Sequence, residues 1–265
     1  MPKVRVNDIN IYYEIHGDGF PLLMINGISI CLKIWDKPLI EGLSNNFKTI
    51  LFDNRGSGQS DIPEGEYTLQ MMADDTIGLM NALNIERSHV LGFSMGGMIA
   101  QELALSYPQN VEKLVLWGAT CGGRKLVPPE LAAYKLFIGA IEDLTPERMA
   151  KATIPLVFTK DFIINNPDYI KDKIQRLLKC RIPYRSYIRQ FKAMASCNTC
   201  RRLKKMEIPT LIMQGKKDIL VPPQNGEILA ELIPKRKLML FENSAHAIFP
   251  HEPDLFLKTL FEFLT

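Results

Sequence analysis

Nowhere in the 265 residues do eighteen apolar side chains follow one another, which leaves no candidate membrane span. The first nineteen residues, MPKVRVNDINIYYEIHGDG, lack the apolar stretch of a secretion signal and alternate as strands do. Cysteine is sparse and odd in number, five in all and scattered. A disulfide framework is therefore not expected, and a reducing, cytoplasmic setting is. Cys197-Asn-Thr-Cys200 has C-x-x-C spacing but no second pair or strand–helix start beside it, and reads as two incidental thiols. Dinucleotide fingerprint, phosphate loop and metal cluster are all missing. Gly56-Ser-Gly58 is too short to cradle a phosphate, and no cofactor is expected.

What the chain does contain is ordinary for a globular enzyme, 46% apolar and 23% charged residues. The net charge of +3 hides an asymmetry. Residues 171–205 hold twelve Lys or Arg and one acid, Asp172, a local balance of +11 against about −8 for the remainder. Without interleaved aromatics or a recognition motif, that segment does not point to nucleic acid. It points to a separate unit inside the chain.

Short runs of β-formers lie at 21–26, 47–52, 88–93, 111–116, 208–213 and 237–241. Continuous apolar runs of that length fit strands buried on both faces of a mostly parallel sheet. Two alternating segments, about 3–6 and 10–16, add antiparallel strands in front. Helical stripes fall between the runs, at 68–83, 95–107, 224–232 and 251–264. The alternation stops from 121 to 205, where helical patterns run alone. An eight-stranded α/β core is expected from 1–120 and 206–265, with 121–205 inserted as a helical cap.

Residues 89–104, HVLGFSMGGMIAQELA, put Ser94 between small residues where a strand gives way to a helix. A serine on such a sharp turn is lifted above the sheet edge, and the helix N-terminus aims its amides at the same spot. The Met95 amide is the first donor available to a developing oxyanion. The nucleophile then needs a base and an orienting acid. Of four histidines, His16 and His89 read as structural, and His251 as solvated or capping. His246 lies just past the final strand, at the carboxyl edge where open α/β sheets bind ligands, and is the expected base. Asp218 follows strand 208–213 at that same edge. The chain order Ser94, Asp218, His246 is the one that accompanies this kind of elbow.

The segments LLMINGIS (22–29), DNRGSGQSD (53–61), GFSMGG (92–97), QGKKDILVP (214–222) and SAHAIFPHEPDLF (244–256) resemble the single-cap members of the α/β-hydrolase fold superfamily. Local similarity is greatest to 3-oxoadipate enol-lactonases and the neighbouring esterase and perhydrolase group. The resemblance implies a second oxyanion donor, which by position is the backbone amide of Ile28. Asn26-Gly27 stands where most relatives carry His-Gly, as it also does in enol-lactonase-like members. Asn26 is expected to shape the loop through its side chain, and Asp53-Asn-Arg55-Gly56 to support the elbow. The implied activity is hydrolysis of a small carboxylic ester or lactone through an acyl-enzyme. The alternative is a ligand sensor on the same scaffold, turning over slowly and signalling to a partner. Trp35, Phe137 and Phe249 are candidates to line the acyl pocket. Arg181, Arg185 and Arg189 recur at four-residue steps on one helical face, and Arg185 is the candidate to hold an anionic substrate.

Overall fold

The two alternating N-terminal segments form an antiparallel pair, β1 (Lys3–Val6) and β2 (Ile9–His16), joined at Asn7 in a left-handed conformation. The apolar runs become β3 (Phe20–Ile25), β4 (Phe47–Phe52), β5 (Ser88–Phe93), β6 (Val111–Trp117), β7 (Thr210–Gly215) and β8 (Arg236–Phe241). They assemble in the order β1-β2-β4-β3-β5-β6-β7-β8, antiparallel as far as the β2–β4 pair and parallel beyond it. This computed structural model describes residues 2–131, 133, 134, 146–180 and 182–265.

Why the central strands read as unbroken apolar runs is plain from their two faces. Leu23, Ile25, Val90, Leu114, Leu116 and Ile212 pack into one core, under α2 (Leu69–Ala82) and α3 (Met95–Ser106). Their immediate neighbours Leu22, Met24, Leu91, Val115, Leu211 and Met213 enter a second core on the opposite face. Successive strand side chains point to opposite sides, so a strand covered on both must be apolar throughout. The second core is closed by α1 (Lys37–Ser44) and the C-terminal helix Pro253–Leu264.

Between β6 and β7 the described residues hold helices and no strand of the sheet. These are α4 (Pro146–Val157), α5 (Lys160–Asn165), α6 (Pro167–Leu178), α7 (Tyr184–Ala195) and the single turn α8 (Cys200–Leu203). A small cluster of Ile154, Phe158 and Ile170 holds this unit together. It docks on the core through a buried ionic knot. Asp36 accepts hydrogen bonds from Lys173 Nζ (2.9 Å), Arg176 (3.0 Å) and the Tyr169 hydroxyl (3.0 Å). Burial pulls the Lys173 amine below the usual lysine range, against the opposing pull of Asp36. Asp36→Ala would leave the buried Lys173 ammonium without its carboxylate, holding only the Ile34 carbonyl (3.0 Å). A loss of about 3–5 kcal/mol is expected in urea unfolding; a loss under about 1 kcal/mol would mean the knot is dispensable.

The cysteines depart from expectation. Cys31 pairs with Cys180 and Cys121 with Cys200, Cα–Cα 5.4 and 5.0 Å, across 149 and 79 residues of chain. Cys197 alone is free, and burial pushes its thiol up to about 12. The scattered spacing misled because tertiary packing makes both pairs: one ties the β3–α1 loop to the segment after α6, and the other joins the two ends of the inserted segment. Cys200 is therefore not an incidental thiol, and the argument for a reducing compartment loses its premise. Thiol titration in denaturant without reductant should find one group per chain; five would show the pairs open.

Candidate active site

Ser94 sits between β5 and α3 with φ 56° and ψ −120°, a backbone region that a residue bearing a side chain occupies only under constraint. The constraint is visible. Ser94 N–H donates to the Trp117 carbonyl on the neighbouring strand at 2.8 Å, and its own carbonyl accepts from Gly97 at 2.9 Å. A side chain at Gly96 would collide with the Ile25 carbonyl, so only glycine lets α3 start this close to β3. The result places the Ser94 hydroxyl on a cavity wall shared with Gly27, Ile28, Phe93 and His246.

His246 lies in the loop after β8, nearly fully buried. Its Nδ1 meets Asp218 Oδ2 at 2.7 Å, and a carboxylate there assigns the ring proton to Nδ1. Among the described residues Nε2 has no hydrogen-bond partner, which leaves a base lone pair at the cavity. Asp218 is fixed in turn by the amides of Leu220 (2.9 Å) and Val221 (2.8 Å) on Oδ1 and by Gln214 Nε2 (3.1 Å) on Oδ2. The imidazole packs against Phe93, ring centroids 4.9 Å apart, and the His246 carbonyl accepts from the Trp117 indole at 2.9 Å. Gly118 passes beside it at φ +57°. A Cβ there would stand 2.9 Å from His246 Cε1, so the ring's position requires a glycine.

The Ile28 and Met95 amides make no hydrogen bond among the described residues, and Met95 opens α3 with its N–H outside the helical ladder. Around them the expected supports are in place. Asn26 Nδ2 donates to the Phe52 carbonyl (2.7 Å). Asp53 Oδ1 accepts from the Leu32 amide (2.7 Å), and the buried Arg55 pairs with Asp75 (2.5 and 2.7 Å).

Ser94, His246 with its unpartnered Nε2 and Ile28 with its unpaired amide thus line one cavity of about 460 Å³, with Asp218 behind the imidazole. Residues 39–254 match the Hydrolase_4 family, serine aminopeptidase S33. The chain belongs to that family. This α/β-hydrolase is 28% identical over 266 residues, 99% of its length and 98% of theirs, to a protein of Azorhizobium caulinodans named "Putative carbamate hydrolase RutD". Among solved structures, the enol-lactonase from Burkholderia xenovorans LB400 matches with a TM-score of 0.86 at 25% identity, covering 99% of both chains. The esterase EaEST from Exiguobacterium antarcticum matches with a TM-score of 0.84 at 28% identity, covering 98% of both.

Not every candidate of this hydrolase reaches the cavity. Trp35 is buried in the second core against Phe93 and Trp117, ring centroids 6.1 and 6.0 Å away, and does not line the cavity. Phe249 is likewise core, edge-on to Phe256 at 5.5 Å. Arg185 lines a different surface hollow, beside Gly65, Tyr67 and Thr68. Arg189 is spent on Glu64 (2.6 Å) and the Pro63 carbonyl (2.7 Å). Phe137 and Arg181 lie outside the described residues. His16 pairs with Glu14, His89 packs against Phe20 and Phe47, and His251 bonds the Ala247 carbonyl.

The cavity instead draws on residues between β6 and β7 with no local sequence signature: Leu156, Val157, Leu177, Ile182, Pro183 and Tyr187. Lys179 is the one Lys, Arg, Asp or Glu among the described residues that line it. No group of three His, Cys, Asp or Glu that could hold a metal occurs among the described residues. Nor is any described helix long and apolar enough to cross a membrane.

Proposed function

We propose that this hydrolase cleaves a small, largely apolar carboxylic ester or lactone, with Ser94 as nucleophile, His246 as base and Asp218 as its orienting acid. The observation that carries the reading is the His246–Asp218 contact, with Nε2 left unpartnered in a residue that lines the same cavity as Ser94. In this scheme Ser94 Oγ attacks the acyl carbon while His246 Nε2 takes the hydroxyl proton. The carbonyl oxygen gathers charge against the amides of Ile28 and Met95, donors typically worth roughly 3–4 kcal/mol each. Collapse expels the alkoxide, which leaves with the proton from His246. Water, deprotonated by His246, then splits the acyl-enzyme and restores Ser94.

Residues 121–205 serve as the cap in this reading and set the acyl side. Its apolar lining favours a neutral substrate. Lys179 favours a second reading, an enol-lactone bearing a carboxylate, with this cation in the role expected of Arg185. The relatives named as carbamate hydrolases add a third carbonyl class that the same atoms could attack. Steady-state pH-stat assays on a neutral lactone, its carboxylate-bearing counterpart and a carbamate of equal size separate them. The neutral lactone is expected to give the highest kcat/KM. Preference for the anionic lactone, lost in Lys179→Met, would install the second reading. Turnover of none, with a ligand-induced rise in Tm, would mean a sensor. The cellular location follows the thiol count: open dithiols fit the cytoplasm, and closed pairs an oxidising compartment.

A further inference from the structure

Ser29 follows the proposed oxyanion donor Ile28 and holds φ 57°, a left-handed conformation that persists only where its surroundings impose it. One contact does so from the cap. The Ser29 N–H donates to Gln190 Oε1 at 3.1 Å, across 161 residues of sequence. Gln190 projects from the inner face of α7 and is completely buried. Its Nε2 donates to the Arg55 carbonyl (2.9 Å) and to Ser57 Oγ (2.8 Å). The amide cannot turn over, because that would set its NH2 against the Ser29 N–H and its oxygen against a carbonyl. Arg55 is itself held by the buried Asp75. A buried polar group with every partner satisfied specifies one geometry and costs stability only when a partner is lost.

We infer that Gln190 is a positioning residue for the oxyanion hole. It fixes the peptide between Ile28 and Ser29 against the rigid Arg55 loop, and through the shared Ile28 Cα restrains the preceding Gly27–Ile28 peptide, which carries the Ile28 N–H. The Cys31–Cys180 bond joins the cap to the same loop two residues on, but a side-chain link there does not set the plane of that peptide. The inference rests on the serine-hydrolase reading above.

The test is Gln190→Met, which keeps length and volume while removing the bonds, compared with Arg189→Ala. The latter breaks the neighbouring tie of α7 to Pro63 and Glu64 without touching the oxyanion loop. Deleting one oxyanion donor typically costs about 100- to 1000-fold in rate, and a misaimed donor loses part of that. Gln190→Met should therefore lower kcat about 10- to 100-fold with KM within about threefold of the parent. Affinity for an arylboronic acid, which forms a tetrahedral anion on Ser94, should fall by the same factor. Arg189→Ala should retain parental kcat. An unchanged kcat in Gln190→Met, an equal loss in Arg189→Ala, or boronate binding that does not fall with kcat would each overturn the inference. Should Gln190→Met not fold, Ser57→Ala removes one anchor of the same amide; a few-fold fall in kcat at constant KM supports the role, and parental kcat refutes it. If Ser94→Ala itself kept full turnover, the underlying hydrolase reading would fail instead, and the two failures are thereby distinct.

Discussion

Ser94→Ala is expected to lower kcat for ester hydrolysis about a million-fold, the scale of loss when a triad enzyme is stripped of its nucleophile. The fold should survive. Alanine keeps the Cβ, so the left-handed backbone at this position is no more costly than with serine, and the Ser94 N–H bond to Trp117 is a main-chain bond that remains. Tm by calorimetry within a few degrees of the parent, together with rates near background, is the expected pair of results. Full activity in the variant would remove Ser94 from the chemistry.

Asp218→Asn should cost about ten-thousand-fold in kcat with little change in KM. The surroundings dictate how the new amide lies. The amides of Leu220 and Val221 both donate to Oδ1, so the Asn oxygen stays there. Its NH2 then takes the place of Oδ2, facing His246 Nδ1 and Gln214 Nε2. An NH2 donating to Nδ1 drives the ring proton to Nε2, where a proton blocks acceptance from Ser94. The imidazole keeps its place but holds the wrong tautomer, which 15N shifts of the labelled ring would report. A tenfold effect or less would mean that Asp218 only anchors the loop.

The meeting of Ser94, Asp218 and His246 at one edge was legible because its signals are local. Ser94 lies at a strand–turn–helix junction whose glycines are needed within a few residues. Asp218 and His246 each directly follow an apolar strand, so strand ends placed them at one edge. The same locality explains the strands: β3 to β7 are covered on both faces, so their apolar runs are continuous. What was not legible depends on docking. Cys31–Cys180 and Ser29–Gln190 join residues more than a hundred positions apart, and no period or spacing encodes them. The four-residue step of Arg185 and Arg189 was a true helical face, but it turned toward Glu64 and Tyr67 while Gln190 faced inward. Aromatic identity was equally silent, since Trp35 fills the core under Phe93 as readily as it would have lined a pocket.

The Cys121–Cys200 pair stands where the chain leaves the sheet after β6 and where it comes back toward β7. The adjoining Gly122–Asn198 bridge closes the same neck. Topologically the segment between Cys121 and Cys200 is a lasso whose knot is covalent. A protease that nicks the arc between the two cysteines opens the loop without releasing either end, and the cut chain migrates as one species until reductant is added. Clipped molecules of this kind keep the strands that lead to Ser94 and His246 tethered through the knot, so damage to the segment is retained within the molecule and does not split it into fragments.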